Sequence, residues 1–309
     1  MDMEQEDMQY LGFFGVCREA FKIISSWRKI FSQISLSLVL PLSFIFLAQM
    51  EVSELLISKE ITLSLCLFKA AYLIFSLIFS LLSTSAVVYT IACIYTGHEV
   101  TFKKVMSVVP KVWKRLMLTF LCTFLAYFAY IIVAALILFV ISTFLILINT
   151  KLFSLLYVLL VFFVVGFVYL SIVWQLANVV TVLEDICGFH ALRKSTALLK
   201  GKMWVATFIF LLLGLCHLAI QISFQMLVVR SGSLGAVSRF VYGIVCLVLL
   251  FMLLLFGLVL QTVIYFVCKS YHHANIDKSA LSDHLAGYHI GGHVPLKAKD
   301  RYTKMIIHI

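Results

Sequence analysis

The sequence predicts an all-α membrane protein, a polytopic helical bundle of about six transmembrane helices in three repeats. Apolar residues make up 63% of the chain and charged residues only 12%, so most of its surface must face lipid. Apolar runs are long enough to cross about 30 Å of hydrocarbon, which takes roughly 20 helical residues. These runs are apolar on every side, whereas helices of water-soluble proteins keep one polar face. Similar basic segments precede every second run, which indicates the repeats.

Six apolar runs have the required length. In chain order they are Phe31–Met50, Ile61–Tyr95, Leu116–Asn149, Leu152–Leu183, Met203–Val229 and Phe240–Cys268. All fourteen aspartates and glutamates lie outside these runs, and Lys69 is the one lysine or arginine inside them. Ion-coupled transporters and pumps usually keep a carboxylate within the membrane, so this distribution argues against a proton or cation pump.

Basic residues are distributed unequally between the two ends of the predicted spans. Nineteen lysines and arginines precede the first span, join the second to the third or the fourth to the fifth, or follow the sixth. The other connections hold only Lys59, Lys151, Arg230 and Arg239. The positive-inside rule therefore predicts that both termini are cytosolic. The net charge of +10 then indicates anionic lipid headgroups as partners and no nucleic acid.

Each odd-numbered span follows a segment that begins with a glycine and ends with a tryptophan. The three segments are Gly12–Trp27, Gly97–Trp113 and Gly188–Trp204. We interpret each as a cytosolic amphipathic helix followed by a membrane hairpin. The predicted organisation is an acidic tail at 1–7, one membrane domain at 8–268 with repeats at about 8–95, 97–183 and 186–268, and a cytosolic tail at 269–309.

The first segment has an apolar face with helical spacing. Its members are Phe14, Cys17, Phe21, Ile24 and Trp27. Such a helix can bury this face in the headgroup layer while its cations meet anionic lipids. The second segment has a comparable face. Its members are Phe102, Val105, Val109, Val112, Trp113 and Leu116. Pro110 lies within this segment and predicts a kink.

Two sets of residues in these segments are candidates for contact with the membrane surface. The predicted headgroup-binding cations are Arg18, Lys22, Lys103, Lys104, Lys111, Arg193 and Lys194. The predicted interfacial anchors are Trp27, Trp113 and Trp204. In the alternative interpretation, the segments are hydrophilic connectors with ordinary interfacial tryptophans. Glu184 and Asp185 face the third segment along the chain, and we expect them to pair with Arg193 or Lys194.

Polar residues recur on one face of the fifth span. His217, Gln221 and Gln225 are four residues apart and form a polar stripe. The stripe could line a hydrated path or a site for a small solute. It could instead form interhelical hydrogen bonds, for which Gln175, Asn178 and Gln261 are candidate partners. One imidazole with amides and no acid is a poor general-base constellation, which favours the structural interpretation.

Motifs for catalysis, cofactors or metals do not emerge from the sequence. It contains no phosphate-binding glycine loop, dinucleotide fingerprint, nucleophile elbow or metalloprotease histidine pair. The tail holds His272, His273, Asp277, Asp283 and His284, but their spacing fits no zinc pattern. The eight cysteines are scattered singly. The sequence therefore predicts no catalytic residues, no cofactor and no metal.

Two stretches resemble a family of plant multi-pass membrane proteins. One is CKSYHHANIDKSALSDHLA at 268–286, followed by VPLK at 294–297, and the other is LEDICGFHALRKSTALLKGK at 183–202. Members of this family have no established function, and some are labelled binders of a polyadenylate-binding protein. The resemblance implies a six-span topology. It implies no catalytic residue.

These observations predict a non-enzymatic protein of the endoplasmic reticulum, another endomembrane or the plasma membrane. Its basic elements bind the cytosolic leaflet, and its spans organise lipids, membrane-protein partners or further copies of the chain. The alternative prediction is a transporter or channel for a small neutral solute, with the polar stripe lining its path. An intramembrane lipid enzyme is a third possibility, but the sequence offers no nucleophile with a plausible partner.

Overall fold

A computed structural model describes residues 10–58, 62–97, 100–147, 153–184, 186–230 and 235–272. Within these ranges the chain is helical and contains no strand. The helices are α1 (Phe13–Ser26), α2 (Arg28–Ile34), α3 (Leu40–Ser58), α4 (Thr62–Thr96), α5 (Phe102–Leu147), α6 (Phe153–Leu183), α7 (Phe189–Leu199), α8 (Met203–Phe224) and α9 (Ala236–Tyr271). A π-helical turn at Ser35–Val39 joins α2 to α3, and another at Gln225–Val229 extends α8.

Six helical segments among the described residues are long and apolar enough to cross a bilayer. They are Arg28–Ile57, Leu63–Thr96, Phe102–Phe144, Leu156–Leu183, Met203–Val229 and Ala236–Tyr271. The six spans predicted from the sequence are therefore confirmed, and the protein is an integral membrane protein. The first span continues beyond its predicted end at Met50, so Glu51 and Glu54 lie on the last turns of α3.

Within the described residues, three glycines with positive φ lie beside helix ends. Gly97 has φ +73° and follows α4, and Gly188 has φ +64° and precedes α7. Gly201 has φ +98° and separates α7 from α8. Residues with a side chain rarely adopt this conformation, so the glycines set the helix ends. The third Gly-to-Trp segment thus contains a short separate helix, α7. The first segment contains α1, which ends at Ser26 without a glycine of this kind.

The second Gly-to-Trp segment is built differently. Its helix begins at Phe102 and runs without interruption through Pro110 to Leu147. The amphipathic element and the third span are therefore one helix of 46 residues. Proline removes one backbone donor and fixes φ near the helical value, so a helix supported by its neighbours can continue through it.

Most of the buried residues lie at one end of the bundle. The largest core cluster combines residues of α1, α2, α7 and α8 with the adjoining halves of α4, α5, α6 and α9. A smaller cluster at the opposite end joins Leu47, Phe224, Val228, Cys246 and Leu250. We call the end with α1 and α7 the basic end, because the described cations of α1, α5, α7 and the last turns of α9 lie there.

Candidate functional site

The apolar face of the first turns of α5 lies inside the protein. Val105, Val109, Val112 and Leu116 are at most 2% exposed and belong to the main core. These residues therefore do not enter the headgroup layer, contrary to the prediction for the second segment. Periodicity locates an apolar face, but it does not tell whether lipid or another helix covers that face.

The helix α1 has a buried face in addition to the face predicted to enter the headgroup layer. Val16, Ala20 and Ile23 pack in the core, and Glu19 is only 5% exposed. Phe14 and Phe21 of the predicted face are 84% and 67% exposed. The exposed side also carries Arg18 and Lys22, so aromatic and basic side chains share one surface. This combination suits a helix that contacts protein on one side and the membrane interface on the other.

A buried carboxylate joins three elements at the basic end. Glu184 follows α6, and its side chain is 13% exposed. Its carboxylate lies 2.5 Å from Nζ of Lys194 on α7 and 3.4 Å from Nζ of Lys269 on α9. The hydroxyl of Tyr265, also on α9, donates a hydrogen bond of 2.7 Å to it. The predicted pairing of Glu184 with Lys194 is therefore present, whereas Asp185 lies outside the described residues.

The surroundings of Glu184 determine its protonation. Burial by itself raises the pKa of this carboxyl group. The hydrogen bonds from Lys194 and Tyr265, and the charges of Lys269 and Lys194, act in the opposite direction and lower the pKa below its ordinary value of 4.5. Glu184 is therefore a carboxylate at neutral pH.

Hydroxyl groups position the loop and the helix that follow Glu184. The N–H of Gly188 donates to Oγ1 of Thr119 on α5 at 3.0 Å, and Thr119 also bonds Thr181 on α6 at 2.9 Å. Ser195 of α7 donates to the carbonyl oxygen of Val173 on α6 at 2.8 Å, and its side chain is fully buried. These bonds hold α7 against α5 and α6 in one orientation.

A basic cleft results at the outer surface of α7. It has a volume of about 590 Å³ and is lined by Ile186, Cys187, His190, Arg193, Lys194 and Ala197. Arg193 is exposed, and the side chain of Lys194 is 43% exposed although it pairs with Glu184. Two of the predicted headgroup-binding residues therefore line a concave surface, where several donors can reach one anionic group.

The other candidate cations and the tryptophans differ in exposure. Lys103 and Lys111 of α5 are exposed, and Lys104 is partly buried. Lys22 lies 3.9 Å from Glu19. Trp27 and Trp113 pack against the core, whereas Trp204 is 88% exposed. Only Trp204 of these three therefore presents most of its ring to the surroundings.

The opposite end carries acidic and basic residues in pairs. Glu54 of α3 lies 3.7 Å from Arg230, and Glu51 lies 4.0 Å from Arg239 of α9. Arg239 also donates through Nε to the carbonyl oxygen of Val228 at 2.8 Å. In the sequence predictions, Arg230 and Arg239 served only to orient the spans. The pairs could have been predicted from the opposite charges at the ends of the first, fifth and sixth spans.

The polar stripe meets α3. Gln225 donates to Glu54 at 3.4 Å, and the imidazole of His217 packs edge-on against Phe46 at 5.8 Å between ring centroids. Gln221 lies between them and is partly buried. The predicted partners Gln175, Asn178 and Gln261 are therefore wrong for Gln225. The extension of α3 by two turns beyond Met50 places an acceptor beside it.

The described residues offer no obvious site for a metal ion. No three histidine, cysteine, aspartate or glutamate side chains among them converge on one point. Nε2 of His272 lies 3.1 Å from the carbonyl oxygen of Leu198. The other four residues of the tail cluster, His273, Asp277, Asp283 and His284, lie outside the described ranges.

Comparison with known families places nearly the whole chain in one family. The profile of a domain of unknown function, DUF8558, matches residues 1–64 and 57–305. The chain belongs to the DUF8558 family. No curated protein and no solved structure matches this DUF8558 protein. The family assignment carries no molecular role, so function must be inferred from the site itself.

Two residues that contact Glu184 in this DUF8558 protein were not predicted from the sequence. Tyr265 and Lys269 are four residues apart on α9, so both reach the same side of the helix and meet Glu184. Nothing in their own sequence context distinguishes them from ordinary residues at the end of a span. Their role follows from the packing of α9 beside α6 and α7.

Proposed function

We propose that this DUF8558 protein is a non-enzymatic membrane protein whose basic end binds anionic headgroups of the cytosolic leaflet. The observation that carries the proposal is the exposure of Arg18, Lys103 and Arg193 on three separate elements at one end of the bundle. Exposed Phe14, Phe21 and Trp204 accompany them, as expected for an interfacial surface. Anionic lipids are the nearest counter-charges for such cations.

The proposal places both termini in the cytosol, in an endomembrane or the plasma membrane. The distribution of lysines and arginines supports this orientation. Anionic lipids bound at the basic end would let the protein organise the surrounding bilayer, a partner protein or further copies of itself. The resemblance to plant multi-pass proteins supports a plant source.

Native mass spectrometry of the full-length protein tests the proposal. The purified protein is titrated in mild detergent with phosphatidylserine and phosphatidylcholine of the same chains. We expect more retained phosphatidylserine at low salt, and a decline of this preference with added salt. The variant Arg18→Gln/Lys103→Gln/Arg193→Gln should bind phosphatidylserine more weakly, by about 1 kcal/mol for each charge.

The matched control is Lys69→Gln/Arg230→Gln, which removes two exposed cations away from the basic end. This variant should retain the preference for phosphatidylserine. Equal retention of the two lipids by the unmodified protein would contradict the proposal, and so would an equal effect of the two sets of substitutions.

The alternative function is transport of a small neutral solute along the stripe of His217, Gln221 and Gln225. The hydrogen bond of Gln225 to Glu54 supports a structural role for the stripe instead. Flux through reconstituted vesicles distinguishes the two. Loss of flux in a Gln221→Leu variant that keeps its thermal unfolding midpoint would favour transport.

A further inference from the structure

An apolar cleft opens between three helices at the end opposite the basic end. It has a volume of about 570 Å³, within the range of roughly 300–1,000 Å³ typical of ligand sites. Leu47 of α3 and Phe224 and Val228 beside it form a buried floor. Phe44 and Phe240 are more than half exposed and form its walls. Neither the polar stripe nor the basic cleft contributes to its lining.

Two opposite charges stand at this apolar cleft. Glu51 and Arg239 both line it, and the nearest atoms of their charged groups are 4.0 Å apart. The side chain of Glu51 is 47% exposed and that of Arg239 is 37% exposed. The bond from Nε of Arg239 to the carbonyl oxygen of Val228 orients the guanidinium group. Its remaining N–H groups and the oxygens of Glu51 can therefore meet a ligand.

We propose that this cleft binds a zwitterionic phospholipid whose headgroup carries a primary ammonium. One acyl chain fills the apolar cleft, the phosphate meets the guanidinium of Arg239, and the ammonium donates to the carboxylate of Glu51. Arginine matches phosphate oxygens with parallel N–H donors. An anionic lipid without an ammonium would place its negative charge beside Glu51 and gain nothing from it. Charge complementarity thus identifies the occupant.

Gly243 of α9 provides the means to block the cleft. It lines the cleft, and a Cβ atom added to it would meet no atom within 4 Å. Its φ is not positive, so a larger residue causes no backbone strain there. A leucine at this position would extend into the space proposed for the acyl chain. Gly214 on α8 has the same open surroundings but does not line the cleft.

Native mass spectrometry with phosphatidylethanolamine and phosphatidylglycerol of identical chains tests the proposal on the full-length protein. The comparison is made in the Arg18→Gln/Lys103→Gln/Arg193→Gln background, where the basic end is weakened, and there we expect phosphatidylethanolamine to be retained in preference to phosphatidylglycerol. Gly243→Leu should reduce this retention by roughly tenfold, because the added side chain excludes several methylene groups. Gly214→Leu should leave it unchanged. Undiminished retention in Gly243→Leu would overturn the proposal.

Selectivity between the two headgroups provides a second, independent test of the proposal. Glu51→Gln removes the negative charge that attracts the ammonium and repels phosphatidylglycerol, so the preference should fall roughly two- to fivefold. An unchanged preference would overturn the assignment of Glu51. Binding of phosphatidic acid, an anionic lipid without an ammonium, to the basic end is measured with the same substitutions in the otherwise unmodified protein. Unchanged retention of phosphatidic acid in Gly243→Leu and Glu51→Gln distinguishes a failure of this proposal from a failure of the proposed function.

Discussion

Glu184 is the residue on which the basic end depends most directly. Its carboxylate holds Lys194, Tyr265 and Lys269 together and is largely shielded from water. Removal of one member of such a network leaves a partly buried polar group without its partner, which costs more than the intact pair contributes. The network therefore controls how α7 and α9 pack after α6 ends.

We expect Glu184→Gln to destabilise the protein by roughly 1.5–3 kcal/mol, as for hydrogen bonds to a charged group. The measurement is the thermal unfolding midpoint of purified protein in detergent. Glu51→Gln serves as the control, because its ion pair is longer and nearly half exposed, and pairs of that kind contribute about 0–1 kcal/mol. Equal shifts for the two variants would contradict this prediction.

The lowered pKa of Glu184 predicts a dependence of stability on pH. The folded pKa lies below the ordinary value of 4.5, so the charged form stabilises the fold at all pH values above 4.5. This stabilisation should decrease below pH 4.5 and disappear once the pH falls through the folded pKa. Unfolding midpoints of the unmodified protein and Glu184→Gln, followed across this range, should converge in acid. A gap that stays constant would show that the carboxylate charge is not responsible.

Among the elements, the junction of α7 and α8 has a strict steric requirement. Gly201 has φ +98° and lies directly against the ring of Tyr271 near the end of α9. Lys202 lies over the same ring, with Nζ 5.4 Å from its centroid. A side chain at position 201 would therefore strain the backbone and displace the ring that receives this cation.

Gly201→Ala should destabilise the protein by at least about 1–2 kcal/mol, the cost of a left-handed conformation for a residue with a side chain. Unfolding in detergent measures the effect. In Gly214→Ala, by contrast, the new methyl group meets no neighbour in the middle of a helix, and stability should rise by roughly 0.5–1 kcal/mol. Tolerance of alanine at position 201 would show that the junction can relax without the glycine.

The helix α1 shows where sequence periodicity reaches its limit. The pattern of Phe14, Cys17, Phe21 and Ile24 predicted the face that enters the membrane surface, but Val16, Ala20 and Ile23 form a second apolar face. A helix that lies between the bundle and the bilayer contacts an apolar environment on two sides, the protein core and the lipid. Hydropathy alone does not distinguish them, because lipid and protein interior are similarly apolar.

For the whole molecule, the separation of charges predicts the orientation in the membrane. The exposed cations of the basic end should face the cytosol, whereas Glu51, Glu54, Arg230 and Arg239 mark the opposite side. The two ends also differ in packing, since the main core lies at the basic end. We therefore expect reagents that cannot cross a membrane to distinguish the ends clearly.

Labelling with a membrane-impermeant maleimide tests this orientation in sealed microsomes. With the other cysteines replaced, Cys187 at the basic cleft should react from the cytosolic side. A cysteine introduced as Gly235→Cys, ahead of α9, should react only after the membrane is permeabilised. The reverse pattern would place the basic end in the lumen and contradict the proposed contact with the cytosolic leaflet.

The sequence by itself determined the membrane class, the six spans and the ends at which cations gather. These properties follow from runs of apolar residues and from charge, which are additive along the chain. The partners of individual polar residues were decided only by the tertiary structure. Glu54 beside Gln225, Tyr265 beside Glu184 and Arg239 beside Glu51 come from different helices. Such contacts depend on how helices pack against one another, and apolar patterns do not specify that packing.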